Sequence, residues 1–220
     1  MHDLRNPLNV VRLNLVVARE VADDAERVEV IDDAQAAAER AFGLVTDLLD
    51  VSAAEDGLLR VERGAIDVGA LIARAAAAWS GAAGFARLDV ETASIVAALD
   101  AKLIQRVLDN LLGNARRHLA PRGRIGVTVA RAYDEVVITI SNDGPTLPDA
   151  VRRTLFQKYA GESTSGRTRG LGLYFCRLVV EAHEGTIRET APAEGVCFEI
   201  RLPIKPRGQT ITDAAVRPPA

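Results

Sequence analysis

The chain has 220 residues, of which 48% are hydrophobic, so it can form packed cores in one large domain or in two modest ones. Its net charge is close to zero, at -3, and it lacks long basic runs and apolar stretches of about 18 residues, which argues against nucleic-acid binding and against a membrane-spanning segment. Its two cysteines, Cys176 and Cys197, lie among apolar neighbours without CxxC spacing, so we expect neither a disulfide framework nor a zinc site and predict a reducing, cytoplasmic setting.

The first 54 residues carry two apolar stripes of heptad-like spacing, one in residues 1–22 and one in residues 25–54, joined by a tight connection at Asp23-Asp24. The stripe residues are Leu4, Leu8, Val11, Leu15, Ala18 and Ala22, followed by Val28, Ile31, Gln35, Ala38, Phe42, Val45, Leu49 and Ser52. A lone helical hairpin cannot bury such a seam, whereas two copies can bury it in a four-helix bundle. The pattern alone therefore predicts a homodimer through residues 1–56.

Beyond residues 53–57, which we interpret as a boundary, strand-like and helix-like patterns alternate. Strands are predicted at 58–62, 88–92, 125–130, 136–141, 186–190 and 196–202, and helices at 68–79, 101–119, 149–157 and 171–182. Because these elements alternate without strict βαβ repetition, we expect an α+β sandwich in which helices cover one face of a sheet. Pro, Gly and polar residues at the end predict a flexible tail over 206–220.

His2 and Asp3 are a candidate nucleophile and its supporting carboxylate. A neutral imidazole can attack an electrophile at neutral pH, and a neighbouring carboxylate can hold the other ring N–H and stabilise the developing charge. Both residues flank the heptad positions, so the imidazole is predicted to face water, within reach of an incoming nucleotide domain. A bare His-Asp pair is more often simply solvated, so this role depends on the motifs that follow.

Asn110 and Asn114 lie four residues apart in a predicted amphipathic helix, and so on one face of it, while Leu108, Leu111 and Leu112 point largely toward the core. Carboxamide oxygens are hard ligands that suit Mg²⁺. Two solvated asparagines are the alternative for this pair in isolation.

Two glycine motifs follow the asparagines. Asn142-Asp143-Gly144-Pro145 comes directly after a predicted strand, and Gly170-Leu171-Gly172-Leu173 opens a long apolar helix. Glycines at a helix N-terminus allow main-chain N–H groups to approach phosphate, assisted by the helix dipole. A dinucleotide-binding βαβ unit is not supported, because a polar loop and not a strand precedes the second motif.

In order and spacing these motifs resemble the H box, N box and two glycine boxes of two-component sensor histidine kinases, over nearly the whole chain. The resemblance implies a hairpin for dimerisation and histidine phosphotransfer (1–56), followed by a Bergerat-type α/β sandwich (57–205) that binds ATP and Mg²⁺. It implies that His2 is autophosphorylated and that the phosphoryl group passes to an aspartate of a response regulator. Asn6, four residues past the acceptor, would orient water for dephosphorylating that regulator.

The resemblance also implies a set of nucleotide contacts. Asn114 would bind the metal with support from Asn110. Asn142 would occupy the position of the family's aspartate, which accepts a hydrogen bond from the adenine amino group. Phe156 would pack at the base of the lid. Further contacts would come from Arg117, His118, Gly144, Arg169, Gly170, Leu171, Gly172 and Leu173. His183 resembles a family position as well, and we interpret it as structural.

Three departures from the family pattern keep alternatives open. Asn142 replaces an aspartate, while Thr146 and Thr168 replace glycines, so ATP binding is expected to be weaker. One alternative is a pseudokinase or phosphatase-biased scaffold for a response regulator. Another is a different ATPase of the same fold, against which the N-terminal hairpin argues. An acceptor at position 2 favours a piece of a longer sensor, or a protein that takes its signal from a separate sensory partner.

Overall fold

The structure, a computed structural model, describes residues 2–21, 23–80, 87–119, 123–158, 171–190, 192 and 194–206; the side chains of residues 2–6, 40, 44, 47 and 80 are not part of that description. The helices are α1 (His2–Glu20), α2 (Asp24–Glu55), α3 (Val68–Ser80), α4 (Ala101–Arg117), α5 (Asp149–Thr154) and α6 (Leu171–Ala182). The strands are β1 (Gly64–Asp67), β2 (Arg87–Thr92), β3 (Val96–Leu99), β4 (Arg124–Ala132), β5 (Glu135–Asn142), β6 (Thr186–Glu189) and β7 (Val196–Pro203). None of the helices within these ranges is long and apolar enough to cross a membrane.

The chain divides into two compact units. The first comprises residues 1–59 and 153–175, and the second comprises residues 60–152 and 176–220. Most of the predicted elements are confirmed in type and place. From residue 207 onward the predicted tail lies outside the described residues.

In the first unit, α1 and α2 pack against each other as the predicted hairpin. The connection is shorter than expected, because Asp24 already belongs to α2 and Asp23 is the N-cap residue. Its Oδ1 accepts a hydrogen bond from the main-chain N–H of Glu26 at 2.9 Å, and Arg27 donates to the carbonyl oxygen of Val21 at 2.8 Å. The cap and this contact close the turn, since they satisfy main-chain groups that a helix end leaves without partners.

Helix α2 carries two apolar stripes side by side. One is buried inside the first unit and consists of Ala34, Ala37, Ala41 and Val51. The other belongs to the seam predicted from the sequence, and its large members Val28, Ile31, Phe42, Val45 and Leu49 are exposed. The heptad analysis therefore identified the outward stripe and missed the small-residue stripe that packs within the unit.

The second unit is built on a five-stranded mixed sheet of order β2-β4-β5-β7-β6, in which β2 and β4 are parallel and the other pairs are antiparallel. Side chains alternate between the two faces of each strand, and the buried face is formed by Ile125, Val127, Val129, Val136, Ile138, Ile140, Phe198, Ile200 and Leu202. Helix α4 packs against β5 and α3. The expected α+β architecture, with helices on one face of a sheet, is confirmed.

The strand predicted at 58–62 is wrong. The strand in this region is β1, which pairs antiparallel with β3, an element that the sequence analysis missed. The register pairs Gly64 with Leu99, so the ladder ends where Asp100 leaves β3 to start α4. Within the part of the chain that the structure describes, residues 58–62 therefore find no strand to pair with in this ladder, because the chain beyond Leu99 is already helical.

Candidate functional site

Helix α4 separates an apolar face from the face that carries the two asparagines. Asn110 and Asn114 are both half-buried and one helical turn apart. The buried face consists of Leu103, Ile104, Val107, Leu108, Leu111, Leu112 and Ala115. Because carboxamide oxygens and retained waters suit Mg²⁺, the donor chemistry of the exposed face fits this ion.

The C-terminal end of α4 brings Arg117 and His118 within one turn of Asn114. Arg117 is exposed in the last helical turn, where a cation interacts favourably with the helix dipole. His118 is the C-cap residue, and its main-chain N–H donates to the carbonyl oxygens of Asn114 and Ala115 at 3.3 and 3.2 Å. One helix end thus groups an amide, a guanidinium and an imidazole side chain.

Asn142 lies against this helix end. It continues the buried face of β5 in phase with Ile138 and Ile140, and only 7% of it is exposed. Its Nδ2 donates to the carbonyl oxygen of His118 at 3.3 Å. This bond orients the amide, so Oδ1 is the atom that can accept a further hydrogen bond.

Gly144 explains why the first glycine motif can approach α4 so closely. A Cβ atom at this position would lie 1.8 Å from the carbonyl oxygen of His118, and 2.7 Å from Nδ2 of Asn142. Any side chain would therefore push the turn away from the helix end. The glycine is required here by packing.

Asp143, the neighbouring acid, is used elsewhere. Its Oδ2 accepts a hydrogen bond from the main-chain N–H of Arg124 at 2.8 Å, and its own main-chain N–H donates to the carbonyl oxygen of Arg124 at 3.3 Å. The side chain is exposed, whereas Asn142 is buried. The turn thus keeps the register in which Asn142, and not Asp143, faces the end of α4.

The remaining described motif residues belong to the first unit. Helix α6 begins at Leu171, so the second glycine motif opens a helix as predicted. Leu171 and Leu173 are buried, while Gly172 and Phe156 are half-buried.

A polar cluster in the first unit joins the end of α2 to Lys158 and Tyr174, which precede and follow residues 159–170 in the chain. Glu55, the last residue of α2, accepts hydrogen bonds from Nζ of Lys158 at 2.6 Å and from the hydroxyl of Tyr174 at 2.9 Å. The hydrogen bond from Lys158, and then that from Tyr174, lowers the pKa of Glu55 below its usual range. The sequence analysis did not single out Glu55, and its position within the boundary at 53–57 was the one available signal.

Several predicted site residues cannot be placed. His2, Asp3 and Asn6 belong to the first two turns of α1, but their side chains are among those not described. Thr168, Arg169 and Gly170 lie outside the described residues. Their roles stay predictions.

The sequence analysis also missed Asp100. It is the N-cap of α4, and its Oδ1 accepts from the main-chain N–H groups of Lys102 and Leu103 at 3.0 and 3.1 Å. An Asp directly before an apolar-periodic run is a helix-start signal, so this residue was recognisable from the sequence.

Comparison with known families agrees with these motifs. Residues 1–57 match the family described as the His Kinase A (phospho-acceptor) domain. Residues 99–206 match the family described as the Histidine kinase-, DNA gyrase B-, and HSP90-like ATPase. The two matches occur in the order in which the chain presents the histidine and the nucleotide motifs.

Individual proteins are similar over almost the whole chain. The probable sensor histidine kinase TcrY of Mycobacterium tuberculosis is 32% identical over 211 residues, which covers 92% of this chain and 44% of TcrY. The alginate biosynthesis sensor protein KinB of Pseudomonas aeruginosa is 28% identical over 214 residues, which covers 92% of this chain and 36% of KinB. The chain thus spans less than half the length of these curated relatives.

Solved structures share the fold. The Acinetobacter baumannii histidine kinase AdeS superposes with a TM-score of 0.73 at 22% identity, covering 93% of this chain and 98% of that chain. The histidine kinase ThkA, solved in complex with the response regulator protein TrrA, superposes with a TM-score of 0.65 at 20% identity, covering 94% of this chain and 60% of that chain. At these identities the likeness concerns the fold alone.

Proposed function

Because the chain matches the catalytic core of histidine kinases, we propose that it is an ATP-dependent protein-histidine kinase that phosphorylates itself on His2 and passes the phosphoryl group to an aspartate of a response regulator. The observation that carries the proposal is the meeting of Asn114, His118 and Asn142 at one end of α4. This grouping brings Asn142, the proposed adenine acceptor, to the end of the helix that carries the amide of Asn114. We place the phosphotransfer domain at 1–56 and the ATP-binding domain at 57–205.

The adenine ring is recognised by Asn142. Its Nδ2 donates a hydrogen bond to the carbonyl oxygen of His118, so Oδ1 accepts a hydrogen bond from the adenine amino group. This bond is neutral, and a hydrogen bond to a carboxylate is roughly twice as strong. ATP therefore binds more weakly than it would to an aspartate in a site of the same shape.

We assign two sets of residues to the phosphates, one on α4 and one at residues 170–173. Asn114, supported by Asn110, provides the carboxamide oxygens for Mg²⁺, which when bound neutralises phosphate charge. Arg117 and His118 lie beside the triphosphate. Main-chain N–H groups of Gly170–Leu173 donate to phosphate oxygens, helped by the dipole of α6, and Arg169 adds a positive charge.

His2 is the phosphate acceptor. The lone pair of one ring nitrogen attacks the γ-phosphorus in line, a phosphorus–nitrogen bond forms, and the bond to the β,γ-bridging oxygen breaks so that ADP leaves. Asp3 holds the proton on the other ring nitrogen and stabilises the positive charge that develops on the ring. Asn6 orients a water molecule when the regulator is dephosphorylated.

We propose two protein partners. A second copy of the chain covers the exposed stripe of α2 and completes a four-helix bundle. A response regulator receives the phosphoryl group, as suggested by the relative ThkA, which has been solved with the regulator TrrA. The input signal would come from a sensory region or a partner protein, and we expect the kinase to act in the cytoplasm.

Incubation with γ-labelled ATP and Mg²⁺ tests the activity, using wild type and His2→Ala. We expect acid-labile label on the wild type only, with ATP affinity equal in both proteins, because His2 accepts the phosphoryl group and does not bind the nucleotide. Nucleotide binding without any label on the wild type would instead support a pseudokinase or phosphatase scaffold, which the neutral Asn142 favours. ATP hydrolysis that persists in His2→Ala would support a general ATPase.

A further inference from the structure

The ring of His183, the residue that follows α6, is hydrogen-bonded to the start of α4. It is only 1% exposed. Nε2 lies 3.0 Å from the main-chain nitrogen of Asp100, and Nδ1 lies 2.8 Å from the carbonyl oxygen of Val179. Because a main-chain N–H can only donate, Nε2 must be the unprotonated acceptor and Nδ1 must carry the proton that Val179 accepts. The geometry therefore selects one neutral tautomer.

This contact completes the cap of α4 in an unusual way. In a capping box, the third helical residue is Glu or Gln, and its side chain accepts the N–H of the N-cap residue. The third residue of α4 is Leu103, which has no acceptor. His183 supplies the missing acceptor to Asp100 from another element. The carboxylate of Asp100 in turn accepts from the main-chain N–H of Glu62 at 2.9 Å.

The end of α6 holds the ring in place. Glu184, directly after His183, adopts a left-handed backbone with φ 62°, which prevents α6 from continuing beyond its last residue, Ala182. Arg63 donates to the carbonyl oxygen of Ala182 at 3.1 Å and pairs with Glu184 at 2.9 Å. Burial, and secondarily the nearby guanidinium of Arg63, lowers the pKa of His183, which agrees with the neutral ring that the contacts require.

We propose that His183 is a positioning residue for nucleotide binding, because it holds the first turn of the helix that carries Asn110 and Asn114. This inference rests on the proposed function, which assigns those asparagines to the metal and the phosphates. A helix transmits a shift of its first turn along its axis, and Asn110 lies about 15 Å from Asp100 at a rise of 1.5 Å per residue. Loss of the acceptor therefore displaces or loosens the metal donors without touching the nucleotide.

Two isosteric changes in the full chain separate the bonds of the ring. His183→Gln keeps an acceptor near the position of Nε2, whereas His183→Asn keeps a polar group only near Nδ1. We expect His183→Asn to weaken binding of ATP with Mg²⁺ about tenfold, measured by calorimetry well below the melting temperature, because a buried N–H is left without a partner. We expect His183→Gln to stay within about twofold of wild type, since Asp100 keeps its acceptor.

Val179→Ala is the matched control. It removes buried apolar atoms from the same turn of α6 and should lower the melting temperature, but it leaves the carbonyl oxygen that binds His183. We expect its ATP affinity to equal that of wild type. Equal affinity losses in His183→Asn and Val179→Ala, or a folded His183→Asn variant with wild-type affinity, would overturn the positioning role.

Two further results complete the test. If circular dichroism shows His183→Asn unfolded, the Gln variant decides: wild-type affinity supports the role of the acceptor, and a tenfold loss in the folded Gln variant contradicts it. Failure of the proposed function is seen separately: a wild type that binds no ATP shows that α4 carries no nucleotide site, and a wild type that binds ATP without labelling itself removes the kinase activity but leaves the affinity comparison valid.

Discussion

Asn142 illustrates how a single residue can mark a site. The alternation of β5 puts residues 136, 138 and 140 in the core, and position 142 falls on the same buried face. An apolar residue would be expected there, and a buried amide requires partners for its polar atoms. One partner is the carbonyl oxygen of His118, and we propose the adenine amino group as the partner of Oδ1.

The contact predicts that Asn142→Asp destabilises the protein, although the family commonly has an aspartate here. The substitution places a carboxylate oxygen against the carbonyl oxygen of His118, so a hydrogen bond is replaced by two facing acceptors. We expect the free energy of unfolding in urea to fall by about 1 to 3 kcal/mol. Asp143→Asn is the matched control and should be nearly neutral, since an amide oxygen can still accept from Arg124. An Asn142→Asp variant as stable as wild type would contradict the description of this contact.

At the level of elements, the packing around α3 and α4 distinguishes two helical glycines that the sequence alone treats alike. Gly113 in α4 faces the ring of Trp79 from α3, and a Cβ there would meet the ring at 3.4 Å. Gly69 in α3 has no such room, because its Cβ would lie 2.3 Å from the carbonyl oxygen of Ala93. Glycine is a poor helix former in both places, but only one of them can be replaced.

We therefore expect opposite effects of the same substitution. Gly113→Ala should stabilise the protein by up to about 1 kcal/mol, because alanine favours the helix and fits beside the ring. Gly69→Ala should destabilise it, because the close main-chain approach cannot accommodate a methyl group. Thermal unfolding measures both, and the fluorescence of Trp79, the single tryptophan of the sequence, checks that the packing of α3 on α4 is kept. A lower melting temperature for Gly113→Ala would mean that the two helices pack more tightly than described.

For the molecule as a whole, the exposed apolar stripe of α2 is the feature from which we infer a homodimer. Phe42 is 75% exposed and lies in line with Val45 and Leu49, while the adjacent stripe of α2 is already buried within the unit. Two neighbouring apolar stripes on one helix need two partners, because one partner helix covers only a single stripe. The proposed four-helix bundle of two hairpins would provide the second partner.

Phe42→Glu should therefore separate the dimer. A carboxylate in the seam loses the apolar contact and is desolvated, so we expect the dimer dissociation constant to rise at least roughly 30-fold, as for an interface hot spot. Gly43→Glu adds the same charge at the next position, which is exposed and where an added Cβ atom would meet nothing within 4 Å. This variant should leave the dimer intact. Sedimentation velocity compares the two variants with wild type. A dimeric Phe42→Glu protein would show that association uses another surface.

The sequence by itself determined most of the element types, the family resemblance and the candidate residues, because apolar periodicity and short motifs are local properties of the chain. It located α4 and the strands of the main sheet well, since each carries its own buried face. Tertiary structure alone decided that residues 58–62 lack a strand partner, that the amide of Asn142 is oriented by His118, and that His183 caps a helix 83 residues earlier in the chain. These features depend on contacts between residues that are distant in the chain. The spacing of residues along the chain does not indicate which donor pairs with which acceptor.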